Sequence, residues 1–375
     1  MDTAVMARLS RPCPKLRVAQ LAPLWVQVPP PRYGGTERVV HALTEELVAR
    51  GHDVTLFAAG GSITSAHLRT GSPGALWELD HADTDIVQQL QIEDVVRQSS
   101  NFDIIHSHIN GLPWLASERL NAPLVTTLHG RLDLPLERKL LATYAGQALI
   151  SISHTQRRTA DDLHLNWIAT IHHGLDLEHI YRLGEGEGGY LAFVGRISPE
   201  KDPVTAIRVA IRAGYPLKIA ARVDPADEVY FRQKVEPYLK HPFVEWLGQI
   251  NEQAKVELLA GARALLMPID WDEPFGLSFI EALASGTPVI ARPRGSLPEI
   301  VAHGIHGFLV ETEDQLVASV LQVDSIDRTT CRKWALERFS AKRMASDYED
   351  AYMQVVEANR GPRQSRSAAP ALAIR

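Results

Sequence analysis

The sequence predicts an α/β protein made of two doubly wound parallel-sheet halves facing each other across a cleft. Three observations predict it. Short β-branched or apolar runs alternate with helical periodicity almost throughout. That rhythm lapses once, in "GLDLEHIYRLGEGEGG" (174–189), and then restarts. The chain is 375 residues long, room for two domains of ordinary size.

In chain order, "LRVAQLAP" (16–23) reads as the first strand. "TERVVHALTEELVARG" (36–51) reads as a helix, with Thr36 as N-cap and Gly51 as its stop. "DVTLFAA" (53–59) is a strand, and "TDIVQQLQIEDVVRQSS" (84–100) has a helical pattern. "FDIIHSH" (102–108), "PLVTTLHG" (123–130) and "ALISISH" (148–154) are further strands. "GEGEGG" (184–189) reads as a linker. The second half repeats the alternation: "YLAFVGR" (190–196), a helix from Pro203, "PLKIAA" (216–221), a helix near 226–240, "FVEWLG" (243–248), "ARALLMPI" (262–269), a helix over 275–285, and "PVIA" (288–291). A long helical pattern over about 340–358 follows and is placed to cross back over the first half. The expected division is 1–180, 181–340, a crossover helix at 341–360 and a frayed tail at 361–375.

Composition narrows the function. The net charge of −6 gives no electrostatic case for nucleic acid as a partner. Two distant cysteines, Cys13 and Cys331, argue against a disulfide framework and fit a reducing, cytoplasmic setting. The amino-terminal stretch lacks the apolar core of a signal peptide, and no segment is apolar and long enough to be a transmembrane span.

Open α/β sheets bind ligands at the carboxyl ends of their strands. Three loops fall there. In "PPPRYGGTERVV" (29–40), Gly34 and Gly35 precede a helix N-terminus; they either admit a phosphate or simply make a tight turn. In "FVGRISPEKDP" (193–203), Arg196 and Lys201 either clamp a diphosphate or are solvated loop charges. In "DWDEPFGLSFIEALASG" (270–286), a helix is expected to start near Pro274. Its unpaired N–H groups near Phe275, Gly276 and Leu277 lie between two acids, Glu273 and Glu281. Such a spacing suits a nucleotide sugar, one carboxylate taking sugar hydroxyls and the other the ribose; the alternative is a pair of charges favouring the helix dipole. A two-carboxylate glycosidase is disfavoured by the nearby cations. Asp270 and Asp272 form a D-x-D that reads as loop rather than as a metal site.

Together these loops, with "SLPEIVAHGIHGFLV" (296–310), resemble the signature set of retaining family 4 glycosyltransferases of the GT-B fold. The resemblance implies that Arg196 and Lys201 hold the donor diphosphate, that Glu281 takes the ribose and that Glu273 meets the donor sugar. It implies that Gly34, Gly35 and Gly195, with the backbone at Phe275, Gly276 and Leu277, approach the donor. His129 would lie near the sugar's 6-hydroxyl. Tyr33, His106 and His108 are candidates for the acceptor pocket. The expected partners are a nucleotide-sugar donor, UDP-glucose slightly favoured, and a small-molecule or glycan acceptor, with no metal or cofactor. GDP-mannose-dependent mannosyl transfer, a sugar-nucleotide epimerase and a non-catalytic nucleotide-sugar-binding module remain as alternatives.

Overall fold

The computed structural model describes residues 14–32, 34–78 and 84–360. Among these the strands form two wholly parallel sheets. The first has the order β3-β2-β1-β4-β5-β6-β7, from β1 (Arg17–Leu21), β2 (Asp53–Ala59), β3 (His67–Ser72), β4 (Ile104–Ser107), β5 (Leu124–Thr127), β6 (Ala148–Ser151) and β7 (Trp167–Thr170). The second has the order β10-β9-β8-β11-β12-β13, from β8 (Leu191–Ile197), β9 (Leu217–Val223), β10 (Val244–Gly248), β11 (Ala264–Met267), β12 (Val289–Ala291) and β13 (Gly307–Leu309). The apolar character of these runs follows from burial on both faces: Ile104, Ile105, Leu191 and Leu265 are fully buried.

In each sheet the order reverses beside the first strand, between β1 and β4 and between β8 and β11. The splayed chain leaves a crevice at those switch points, and the two crevices open onto one cleft. Helix Ala341–Arg360 crosses back to the first sheet, packing on helix Gly35–Ala49 and on β4 and β7. Its Tyr348 and Tyr352 are fully buried there.

The structure revises several local expectations. Helix Gly35–Ala49 is capped by Gly34 rather than Thr36. The segment over 226–240 breaks into short 3-10, α and π turns instead of one helix, with Pro237 removing an amide from the ladder. "GEGEGG" is a pinned strap: the amides of Gly184, Gly186 and Gly188 donate to Ser285, Ala260 and Gly261, and Arg328 Nε donates to the Gly184 carbonyl at 2.6 Å. Residues 361–375 lie outside the described residues.

Candidate active site

The cleft between the sheets has a volume of about 960 Å³. Its first-domain wall carries Gly34, Gly35, Glu37, Arg38 and His129, and its second-domain wall Gly195, Arg196, Lys201, Glu273, Gly276, Leu277 and Glu281. Tyr33 lies outside the described residues.

After β11 the chain turns through 268–276 and enters helix Leu277–Ala284, one turn's fraction later than its sequence suggests. Gly276 caps the helix at φ 88°, and a Cβ there would lie 2.5 Å from the Phe279 ring, so only glycine fits. Phe275, Gly276 and Leu277 of this short turn line the cleft. Across the gap, a Cβ on Gly35 would come within 3.6 Å of Leu277, so the glycine loop and the helix start are near neighbours.

Glu273 is buried and ion-paired with Lys201 Nζ. The Lys201 ammonium also lies 5.2 Å from the Trp271 ring centroid. Lys201 and Glu273 thus meet at the mouths of β8 and β11, although 72 residues separate them. Arg196 stands among three acids: Glu200 at 3.0 Å, Asp224 at 3.5 Å and Asp227 at 3.9 Å.

Glu281 is only 3% exposed. Its Oε1 accepts from Arg38 of the first domain at 2.6 Å and from Lys255 Nζ at 2.5 Å. Burial alone pushes this carboxyl up, but the Lys255 ammonium and the Arg38 guanidinium outweigh it and hold the group below its ordinary range. Burial lowers Lys255 to about 8, so both partners stay charged at neutral pH. Arg38 also meets Glu252 at the start of helix Glu252–Gly261. Arg38 and Lys255 have no place in the sequence-level site. Arg38 stands three residues past Gly35, in the first turn of the helix that the glycine loop opens, and that position is the signal for it. Lys255 carries no such signal, because only the fold brings its helix beside Glu281.

Glu37, in that same first turn, is buried with its carboxyl against Gly34; a Cβ on Gly34 would lie 2.8 Å from Oε2. Burial raises its pKa to about 7. Glu299, within "SLPEIV", joins the domains: its oxygens accept from the His154 amide at 2.9 Å, the Thr155 amide at 2.8 Å and His172 Nε2 at 2.8 Å.

The histidines divide. His129 reaches the cleft, and burial lowers its pKa to about 3, so its ring is neutral. His106 and His108 stand behind the wall and are not among the residues that line the cleft: His106 is fully buried against Tyr352 and Thr127, and His108 bonds His129 and Gln20. Their strand-end position is real, but the His106 ring turns in under the crossover helix against Tyr348 and Tyr352, and His108 lies beside it. Asp270 lies 3.5 Å from Arg294, and Asp272 accepts from the Gly295 amide at 3.1 Å, so both hold the loop. No group of three or more His, Cys, Asp or Glu among the described residues is placed to hold a metal ion.

Two family models, Glycosyltransferase Family 4 over residues 33–179 and Glycosyl transferases group 1 over 182–335, match in tandem across both sheets. The chain is a family 4 glycosyltransferase. This transferase is 28% identical over 360 residues to a D-inositol 3-phosphate glycosyltransferase of Streptomyces avermitilis, covering 75% of this chain and 73% of that one. Its GT-B fold matches sucrose-phosphate synthase from Thermosynechococcus elongatus with a TM-score of 0.77 at 19% identity, over 91% of this chain and 99% of that one. It also matches Anabaena HepE in complex with UDP-glucose, with a TM-score of 0.68 at 18% identity, over 90% and 100%. Among the described residues of the family 4 chain, no helix is long and apolar enough to cross a membrane.

Proposed function

We propose that this glycosyltransferase moves a hexosyl group from a nucleotide sugar, UDP-glucose favoured, to an acceptor hydroxyl, retaining anomeric configuration and needing no metal. One observation carries the reading: two buried carboxylates, Glu273 and Glu281, flank a glycine-capped helix start, and a lysine and an arginine stand beside them in one cleft. In this reading Glu281 takes the ribose hydroxyls and Glu273 the sugar hydroxyls. Lys201 has three donors, so it can keep Glu273 and still reach a phosphate oxygen. Arg196 and the helix-start amides meet the same diphosphate. Departure of the nucleoside diphosphate builds negative charge there, which preorganised donors stabilise. The acceptor's proton then passes to the departing phosphate on the same face as the new bond, since no side chain stands out as a covalent nucleophile. The acceptor is a polyol or glycan hydroxyl entering from the glycine-loop side; the Streptomyces relative's name, with its inositol phosphate, is consistent with a hydroxylated ring.

The test is turnover and thermal shift over a panel of UDP-glucose, UDP-N-acetylglucosamine, GDP-mannose and their diphosphates, with and without chelator. UDP-glucose turnover that persists in excess chelator is the expected result. Turnover of GDP-mannose alone corrects the donor. Complete loss in chelator restored by magnesium rejects the metal-free reading, and binding of every donor without turnover rejects the enzyme.

A further inference from the structure

We infer that Trp25 and Trp77 form an aromatic platform on the first-domain wall of the cleft and take the acceptor there as an uncharged saccharide ring. The inference deepens the transfer reading and rests on it for the role of acceptor.

Of the seven tryptophans in the chain only these two are exposed, Trp25 at 42% and Trp77 at 56%, and both line the cleft. An indole left in water, with polar groups around it, is the kind of surface that marks a ligand groove. Local structure explains why both stand out. Trp25 lies in the connection from β1 to Gly34, and Trp77 in the 3-10 turn Leu76–Glu78 that follows β3. The residues just before them, Leu24 and Leu76, are fully buried and pack in one cluster with Ala59. The two segments are also tied through the backbone. The Leu76 amide donates to the Leu24 carbonyl at 2.9 Å, and the Trp77 amide to the Trp25 carbonyl at 3.4 Å. The leucines are thus pegged into the core side by side, and the indole that follows each is left to the cleft.

A pyranose has a face of C–H bonds and an edge of hydroxyls. The electron-rich face of an indole suits the first. Glu78 and Arg32, on the same wall, suit the second. The charges of this wall favour a neutral ring. Arg32 and Glu78 are opposite in sign, and Arg38 is already paired with Glu252 and Glu281. Burial keeps His129 and His173 neutral, and Glu37 adds no positive charge in either protonation state. No surplus of cations remains among the described residues of this wall to hold a phosphate monoester.

The test is saturation-transfer difference NMR on the full chain without donor. The probes are the methyl glycosides of glucose, galactose, mannose and N-acetylglucosamine, octyl glucoside, glucose 6-phosphate and myo-inositol 1-phosphate. At least one methyl glycoside should bind through the C–H protons of its ring, and neither phosphate should bind. Trp25→Ala and Trp77→Ala should each weaken that glycoside roughly 5- to 10-fold, Trp77→Phe should restore binding, and UDP affinity in calorimetry should stay within about 2-fold. Preference for either phosphate overturns the inference. So does saturation of the octyl chain without the ring, glycoside binding unaltered in both alanine variants, or binding of no glycoside. Ring binding that depends on the tryptophans, without transfer from UDP-glucose to the bound glycoside, upholds the platform and corrects the donor instead.

Discussion

Glu281 and Glu273 differ in what holds them, and that difference gives them separable roles. Glu281 is fixed by Arg38 and Lys255, both on one oxygen, far from any reacting atom in the proposed pose. Glu273 shares Lys201 with the diphosphate site. A contact made equally in ground and transition states moves KM, while one that tightens at the reacting ring lowers kcat. Glu281→Gln should therefore weaken UDP binding in calorimetry and raise donor KM about tenfold. Glu273→Gln should leave UDP affinity within about 2-fold and reduce kcat by ~10². The opposite pattern would reverse the donor in the cleft. Glu37 offers a pH test. Its folded pKa of about 7 stands above the ordinary 4.5, so the folded state binds more protons between these values. Stability then falls as pH rises through that window. Glu37→Gln, a mimic of the neutral acid, should raise Tm by a few degrees at pH 8 and leave it unchanged at pH 4.5. An equal shift at both pH values would place the carboxyl in water.

Elements do the work of connection. Glu299, near the end of the short helix Leu297–Ile300, caps the first-domain helix His154–Arg158 by accepting from its first two amides. Burial pushes the Glu299 carboxyl up, but His172 and those amides win and hold it at about 2. A depressed folded pKa gives stability that is present above the ordinary 4.5 and lost as pH falls toward about 2. Thermal denaturation of the wild-type protein should weaken across that window, and Glu299→Ala should flatten the dependence. At pH 7 this variant should lose roughly 2–6 °C of Tm, the scale of one charge-assisted hydrogen-bond cluster. A variant with unaltered Tm at pH 7 would mean that the capping amides are as well served by water. The glycine strap at 184–189 shows the same scale from the other side. Its composition reads as a flexible linker, yet its amides find carbonyls on the neighbouring helix ends, so it is held rather than loose.

At the scale of the whole molecule, side chains cross the cleft as well as line it. Arg38 ties the first domain to Glu281 and Glu252 in the second. Removing one partner of a buried pair usually costs several kcal/mol, but Lys255 stays on the same Glu281 oxygen and softens the loss. Arg38→Gln should lower stability by about 1–2 kcal/mol and enlarge the ligand-free radius of gyration in small-angle scattering. UDP should restore compactness. An unchanged radius of gyration in the variant would show that the crossover helix and Glu299 alone set the closed arrangement.

The sequence by itself determined the fold class, the alternation of strands and helices, and the loops that carry the cleft residues. It could do so because period and turn chemistry are local: Gly276 must be glycine for reasons within four residues of it, and Arg196 and Lys201 belong to one strand-end loop. Lys255 and Glu299 had no local signature, and Arg38's place after the glycine loop did not name its partners, because a charge's partner is chosen by packing across 26 to 243 residues of chain. His106 and His108 look in sequence like His129, each a histidine at a strand's carboxyl end. Only the tertiary structure sorted them. The crossover helix covers His106, and His108 is buried beside it in the same hydrogen-bonded chain, while the cleft leaves the third at its wall, and burial on that scale is a property of which elements meet rather than of any stretch of residues.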